Sequence, residues 1–194
     1  MRHATDPDLR MTAAPASDGA LASWLPRFAD CTVLVLGDVM LDRYVHGEVR
    51  RISPEAPIPV LHAHRRGAVL GGAGNVAQNV AALAAKAVLV GTVGADAGGA
   101  EVEAILAASP GVTAMLVRTP HRPTTVKTRF VSGSHQLLRL DEEDTSPIDA
   151  DTETRLIAAF AAAFTTAGTF VRGWALDIFL LRLYILLVLF GSDG

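Results

Sequence analysis

The sequence contains a single cysteine, Cys31, among its 194 residues. One cysteine excludes an intrachain disulfide and any zinc site built from several cysteines. Because Cys31 opens an apolar run, we expect it to be a small buried core residue rather than a reactive thiol. Metal-ligand spacing is also missing from the six histidines. His62 and His64 would share a strand face, yet no third ligand accompanies them.

An excess of positive charge is absent as well, since the formal net charge is −3 at pH 7. Proteins that bind nucleic acid usually present a basic face, so we expect no nucleic-acid partner. Residues 1–20 lack an apolar segment and are rich in Ala, Pro, Asp and Thr. They are therefore not a secretory signal, and we predict a disordered leader on a cytoplasmic protein.

Long hydrophobic runs are confined to residues 178–190, whose sequence is IFLLRLYILLVLF. This run is shorter than the roughly 20 residues that a membrane-spanning helix needs, and Arg182 lies inside it. A membrane anchor is therefore the least favoured interpretation. A buried core element and a segment foreign to the rest of the domain are the two others.

Short apolar runs alternate with helical patterns between residues 31 and 164. Residues 32–36, ended by Gly37-Asp38, have the pattern of a buried parallel strand. Further strands are predicted at 87–90 and 112–117, and helices at 76–86, 97–108 and 151–164, the last capped by Asp151 or Thr152. This alternation predicts an α/β fold with a parallel sheet flanked by helices, and one domain over residues 21–164.

Two segments fall outside the alternating pattern and predict a small β lid beside the sheet, at about 43–70 and 124–141. Pro54, Pro57 and Pro59 forbid a regular helix in the first segment, where 59–63 and 67–70 look like short strands. In the second, two alternating runs flank Ser132-Gly133-Ser134, which is typical of a hairpin. Open lid edges favour pairing with a second copy, so we expect a homodimer through the lid.

Asp38 and Asp42 lie just past the end of the first strand. Ligands of open α/β sheets bind at the carboxyl ends of strands, and carboxylates accept hydrogen bonds from hydroxyl groups. Two carboxylates here suggest a site for a vicinal diol. The alternative interpretation is that these aspartates form a turn or a helix cap.

A glycine-rich segment, Gly71-Gly72-Ala73-Gly74-Asn75, precedes the first predicted helix. Glycines allow a ligand to approach the backbone, and a helix start presents free N–H groups. We therefore place Gly71, Gly72 and Asn75 in the predicted binding site. The alternative interpretation is a loop that needs glycine only for its backbone geometry. No Gly-Lys-Ser/Thr follows, so this is not a P-loop.

Lys127 and Arg129 alternate along a predicted lid strand and so share one face. Two cations on one face, with Arg139 on the neighbouring strand, suit a phosphate group through charge-assisted hydrogen bonds. The alternative is a solvated lid surface.

Taken together, these motifs resemble the N-terminal part of the ribokinase-like (PfkB) carbohydrate kinases over residues 31–164. Three stretches carry the resemblance, and they are VLGDVMLDRYVHGEVRRISPEAPIPVL, GGAGNVAQNVAAL and PTTVKTRFVSGSHQLLRLDEED. The RISPEAPIPV string is the most selective. It is similar to the D-glycero-β-D-manno-heptose-7-phosphate kinases, which occur alone or as the kinase half of a bifunctional heptose kinase/adenylyltransferase.

The resemblance implies a reaction and roles for the residues singled out above. Family members use ATP and Mg²⁺, and the heptose kinases phosphorylate the anomeric hydroxyl in ADP-heptose and lipopolysaccharide core biosynthesis. By resemblance, Asp38 and Asp42 bind sugar hydroxyls, while Gly71, Gly72 and Asn75 line the sugar pocket. Lys127 and Arg129 lie near the substrate phosphate.

The family's second signature, a Gly-Ala-Gly-Asp box that supplies the catalytic base and anion hole, is absent from this sequence. No catalytic residue can therefore be assigned, and we expect a truncated chain that is inactive alone. Beyond residue 164 the resemblance ends, and we interpret 165–194 as a non-family apolar tail produced by a frameshift. Two alternatives stay open: another ribokinase-family sugar or nucleoside kinase, or a non-catalytic sugar-phosphate-binding or dimerisation fragment.

Overall fold

A computed structural model describes residues 23, 25–166 and 185–190. The predicted leader, 1–20, and most of the predicted tail lie outside the described residues. A 3-10 helix, Leu25–Asp30, leads into the first strand. There Cys31 is buried, as predicted, with Sγ 3.4 Å from the carbonyl oxygen of Arg27. No helix in the described part of the chain is long and apolar enough to cross a membrane.

The main sheet has four strands in the order β5-β4-β1-β8. They are β1 (Cys31–Leu36), β4 (Lys86–Gly94), β5 (Val112–Thr119) and β8 (Ile185–Phe190). β1, β4 and β5 are parallel, whereas β8 runs antiparallel to β1. The predicted parallel α/β sheet is thus confirmed. β1 and β4 are apolar and mostly buried, because helices cover both faces of the sheet.

Three α-helices flank this sheet in the described part of the chain: α1 (Gly72–Ala82), α2 (Ala97–Ala107) and α3 (Ala150–Thr166). α1 and α2 pack on one face, where Val35, Leu89 and Val102 are nearly inaccessible to solvent. α3 covers the other face, against Leu34 and Val90. Successive strand residues point to opposite faces, so β1 and β4 contribute to both clusters.

The second sheet, here called the lid sheet, has the order β3-β2-β6-β7. It consists of β2 (Val39–Ile52), β3 (Pro59–Gly71), β6 (Thr125–Ser132) and β7 (His135–Glu142). The β6–β7 hairpin is confirmed. The prediction of two short strands at 59–63 and 67–70 is wrong, because β3 is continuous. The register of its pairing with β2 shifts twice, between His46 and Gly47 and between Val49 and Arg51.

The long strand β2 was not recognised in the sequence because charged side chains interrupt its apolar face. Leu41 and Val45 are buried on that face, and Arg43 lies between them. The Arg43 guanidinium reaches α2, where Nη2 is 2.6 Å from Oε2 of Glu101. This ion pair links the lid sheet to a helix that packs on the main sheet. It explains why a charged residue stands between the apolar residues on the buried face of β2.

Two predicted helix starts are also wrong. α1 begins at Gly72 rather than at residue 76, and the Ala73 N–H donates to the Asp38 carbonyl oxygen at 2.9 Å. α3 is capped by Asp149 rather than by Asp151 or Thr152. Oδ1 of Asp149 accepts the Thr152 N–H at 2.7 Å, which is the bond that a cap makes three residues into a helix.

The chain passes between the two layers at four places, residues 37–38, 71–72, 120–124 and 143–149. Two of these crossings, 37–38 and 120–124, directly follow β1 and β5, at the carboxyl ends of parallel strands. The fold therefore gathers loop residues at the edge of the sheet where α/β proteins bind their ligands.

Candidate functional site

A cavity of about 620 Å³ opens at the carboxyl ends of β1, β4 and β5, beneath the lid sheet. Its size falls within the range of about 300–1,000 Å³ found for small-molecule sites. Its lining residues are Gly37, Asp38, Val39, Met40, Thr92, Val93, Thr119, Arg122, Pro123, Thr125, Lys127, Glu143, Asp144, Thr145 and Ile148. Two of the seven predicted site residues, Asp38 and Lys127, are among them.

Asp38 presents an exposed carboxylate at the end of β1. Within the described residues, no hydrogen bond or ion pair engages this side chain. Its backbone carbonyl is fixed instead by the Ala73 N–H at the start of α1. The Asp38 backbone is thus held at the start of α1, while its carboxylate has no partner among the described residues.

Lys127 reaches the cavity from β6 and is held by two carboxylates. Its Nζ lies 2.9 Å from Oε2 of Glu143 and 3.2 Å from Oδ2 of Asp141. The hydrogen bond that the Lys127 ammonium donates to Glu143 is the main cause that raises the pKa of Lys127 above its ordinary value. Burial opposes the shift and Asp141 adds to it. The ammonium group is therefore charged at neutral pH, but a bound anion would have to compete with these carboxylates.

Asp42 and Arg129 lie outside the cavity lining and pair with each other. β2 and β6 are parallel neighbours, and the Arg129 guanidinium donates to Oδ1 of Asp42. This hydrogen bond raises the pKa of Arg129 further above its ordinary value. The guanidinium also lies over the Tyr44 ring, 5.4 Å from its centroid. Asp42, predicted to bind sugar hydroxyls, and Arg129, predicted to lie near the substrate phosphate, thus neutralise each other.

Gly71 and Gly72 lie beside the predicted aspartates, in contact with the protein itself. A Cβ on Gly71 would come within 2.7 Å of Oδ2 of Asp42. At Gly72, where φ is +56°, it would come within 2.3 Å of the Asp38 carbonyl oxygen. Close packing therefore requires both glycines, whether or not a ligand also approaches them. Asn75 is exposed on α1 and accepts a hydrogen bond from Asn79 at 3.4 Å.

Sequence reasoning missed Arg122, which lines the cavity from the loop between β5 and β6. Its guanidinium donates to the carbonyl oxygens of Asp144 and Ser146, the latter at 2.5 Å. Thr119, at the carboxyl end of β5, donates to the Arg122 carbonyl oxygen at 3.1 Å. Thr92 and Thr119 could have been predicted as lining residues, because each lies just past the end of a predicted parallel strand. Arg122 lies in a loop that carries no periodic pattern.

Asp96 and Thr124 fix the loop that carries Arg122 into β6. Asp96 caps α2 by accepting the Gly99 N–H at 2.8 Å, and it accepts the Thr124 hydroxyl at 2.7 Å. The same hydroxyl accepts the Gly94 N–H at 2.9 Å. Burial favours a higher pKa for Asp96, but the hydrogen bonds from Thr124 and Gly99 outweigh it and lower the pKa below the ordinary value.

The described residues contain no group of three His, Cys, Asp or Glu side chains close enough to hold a metal ion. The carboxylates around the cavity are instead engaged with cations or with backbone N–H groups, apart from Asp38.

Comparison with known proteins gives a family for this fold and site. The profile described as "pfkB family carbohydrate kinase" matches residues 31–173. Bifunctional protein HldE of Caulobacter vibrioides is 56% identical over 155 residues, which are 79% of this chain and 31% of that protein. Bifunctional protein HldE of Gluconacetobacter diazotrophicus is 47% identical over 144 residues, or 74% of this chain and 30% of that protein.

Among solved structures, an Arabidopsis thaliana ribokinase complexed with ribose and ATP aligns with a TM-score of 0.48 at 23% identity. That alignment covers 65% of this chain and 42% of the ribokinase. The chain spans about a third of the length of the curated relatives it matches. The family profile covers most of the chain, and this protein therefore belongs to the pfkB family of carbohydrate kinases.

Proposed function

We propose that this chain forms the sugar-phosphate-binding part of a kinase that acts on D-glycero-β-D-manno-heptose 7-phosphate. The observation that carries the proposal is the cavity at the carboxyl ends of β1, β4 and β5, with the Asp38 carboxylate and the Lys127 ammonium on its wall. The resemblance of residues 51–60 to the heptose branch of the family supports this choice of sugar. So does the similarity to the proteins named HldE.

In this proposal the sugar is held by its hydroxyl groups at one end and by its phosphate at the other. Asp38 accepts hydrogen bonds from hydroxyl groups near the anomeric carbon, and Lys127 attracts the 7-phosphate by charge-assisted hydrogen bonding. The reaction is transfer of the γ-phosphoryl group of ATP to the anomeric hydroxyl, which gives the 1,7-bisphosphate. Such binding contributes to phosphoryl transfer by orienting the acceptor.

ATP and Mg²⁺ are not assigned to residues of this chain. No metal-binding cluster is found among the described residues, and no residue of the sequence matches the family's catalytic aspartate. We infer that the described residues bind and orient the sugar phosphate, and we expect no turnover from this chain by itself. We also infer, as a separate proposal, that two copies associate through the lid sheet.

Isothermal titration calorimetry tests the choice of substrate. The chain should bind heptose 7-phosphate more tightly than unphosphorylated heptose, and Lys127→Ala should weaken binding of the phosphorylated sugar by about tenfold or more. Lys86→Ala is the matched control, since Lys86 is exposed at the amino end of β4, opposite to the cavity. Equal affinity of the parent chain for both sugars would contradict the proposal.

An ADP-release assay with ATP, Mg²⁺ and heptose 7-phosphate tests the expected inactivity. The purified chain should give no release above background. A rate of about 1 s⁻¹, within the range of about 1–100 s⁻¹ typical of protein kinases, would show that the chain contains a complete active site.

A further inference from the structure

We propose that Arg122 forms the phosphate subsite together with Lys127, and that residues 143–148, here called the strap, compete with the ligand for Lys127 through the Glu143 carboxylate. This inference rests on the proposed function in taking the ligand to be a sugar phosphate. It assigns to Arg122 the role that the sequence suggested for Arg129.

The partners of Arg122 set it apart from the other arginines near the site. Arg129 is neutralised by Asp42 and Arg139 by Asp141. The Arg122 guanidinium instead donates to two backbone carbonyl oxygens of the strap, those of Asp144 and Ser146. Carbonyls carry no net charge, and these two bonds use two of the five N–H groups of a guanidinium. Arg122 therefore keeps its positive charge and has donors left for a phosphate.

Arg122 and Lys127 converge on consecutive residues of the strap. Lys127 Nζ contacts the Glu143 carboxylate at 2.9 Å, and Arg122 contacts the carbonyl of the next residue, Asp144. Both cations line the same cavity, and so does Thr125, two residues before Lys127 on the same face of β6. Two cations and a hydroxyl on one wall provide the donors that phosphate oxygens accept.

The strap supplies an internal competitor for the ligand. The Glu143 carboxylate occupies Lys127, so a phosphate must displace it or share the cation. The other strap carboxylate, Asp144, accepts the Ser146 N–H at 2.8 Å. Hydrogen bonds from Ser146 lower the pKa of Asp144, with a smaller contribution from the charge of Arg122. Ligand binding therefore exchanges the Lys127–Glu143 contact for a contact between Lys127 and phosphate.

Calorimetry on the full chain tests both parts of the inference, with heptose 7-phosphate and fructose 6-phosphate as probes. Arg122→Gln should weaken binding of a phosphorylated probe by about tenfold or more, because a charge-assisted hydrogen bond is lost. Glu143→Gln should tighten it by about twofold to fivefold, because an exposed ion pair no longer competes. A variant that only damaged the fold would not tighten binding. Arg118→Gln is the control, since Arg118 pairs with Glu103 away from the cavity.

The outcomes separate this inference from the proposed function. If fructose 6-phosphate binds with the expected dependence on Arg122 and Glu143 while heptose 7-phosphate does not bind, the phosphate subsite stands and the choice of heptose fails. If heptose 7-phosphate binds and Arg122→Gln leaves its affinity unchanged, or Glu143→Gln weakens it, the inference is overturned while the function stands. If neither probe binds the folded parent chain, both are overturned.

Thermal unfolding followed by circular dichroism shows whether each variant folds. Should Arg122→Gln not fold, Arg122→Lys replaces it, because a lysine keeps the charge but loses the planar fork of donors. We then expect weakening of about threefold or more, and an affinity equal to that of the parent chain would overturn the assignment.

Discussion

The Arg129 guanidinium donates a hydrogen bond to the Asp42 carboxylate across the β2–β6 pair, and both side chains are largely buried, at 21% and 17% exposure. Neither group lines the cavity. Each neutralises the other, which makes the pair a structural link between the two central strands of the lid sheet. The roles in sugar and phosphate binding that the sequence suggests for them would require this ion pair to open.

Arg129→Gln should therefore destabilise the protein by about 1–3 kcal/mol, because it leaves the Asp42 carboxylate without its charged partner. Combining it with Asp42→Asn should recover part of that loss, because no unpaired charge then remains. Urea unfolding of the parent, both single variants and the double variant measures the coupling. Effects that add to within about 0.5 kcal/mol would show that the two residues act independently.

Gly72→Ala should destabilise the protein more than Gly133→Ala. Both glycines have positive φ, +56° and +59°, so each substitution brings backbone strain of about 1–2 kcal/mol. Only at Gly72 would the new Cβ also meet a backbone atom, the Asp38 carbonyl oxygen, whereas nothing lies within 4 Å at Gly133. We expect an extra cost of about 1–3 kcal/mol at Gly72 in urea unfolding. Equal losses of unfolding free energy in the two variants would mean that the backbone between β1 and β2 shifts to make room for the new methyl group.

Asp96 makes part of the stability depend on pH in acid. Hydrogen bonds lower its folded-state pKa below the value of about 3.9 in an unfolded chain. The stabilisation from its ionised form is therefore fully present above that value and is lost as pH falls through the folded-state pKa. Asp96→Asn keeps an N-cap side chain but does not titrate.

The unfolding free energy of the parent should exceed that of Asp96→Asn by a constant amount above about pH 5, and the gap should narrow below about pH 4. Urea unfolding at several pH values measures this gap. Other acidic groups are present in both proteins and cancel in the difference. A gap that stayed constant or widened in acid would contradict the assignment.

Self-association should depend on apolar side chains of the lid sheet. Leu138 and Leu140 on the edge strand β7 are 60% and 48% exposed, and an exposed apolar edge strand favours pairing with another copy. Leu138→Lys should shift the chain toward the monomer in sedimentation velocity. Leu83→Lys should leave association unchanged, since Leu83 is also exposed but lies at the end of α1. A monodisperse parent monomer at micromolar concentration would contradict the proposed homodimer.

The three parallel strands of the main sheet were predictable from sequence because they appear as short apolar runs, and β1 and β4 are mostly buried. The β6–β7 hairpin was predictable from its turn residues. β2 was not, because Arg43 interrupts its buried face and finds its partner, Glu101, 58 residues away. The start of α1 was misplaced because its first turn contains glycines that pack against Asp38, a contact that local helix propensity does not reflect.

The site was partly predictable, because ligands of α/β sheets bind at the carboxyl ends of the strands. Asp38 and Lys127 do line one cavity. The ion pairs of Lys127 and Arg129, and the position of Arg122 on the same wall, depend on how the strap folds back across the lid. No spacing along the chain encodes that arrangement, and only the assembled structure shows which cations are neutralised.

Only two residues, Gly37 and Asp38, separate β1 in the main sheet from β2 in the lid sheet. So short a link has almost no slack, so the backbone torsions of Gly37 and Asp38 largely set the angle between the two sheets. The proposed hydroxyl acceptor is therefore one of the two residues that join the layers. A substitution that altered the backbone of this link would be expected to move the Asp38 carboxylate and the lid wall of the cavity together.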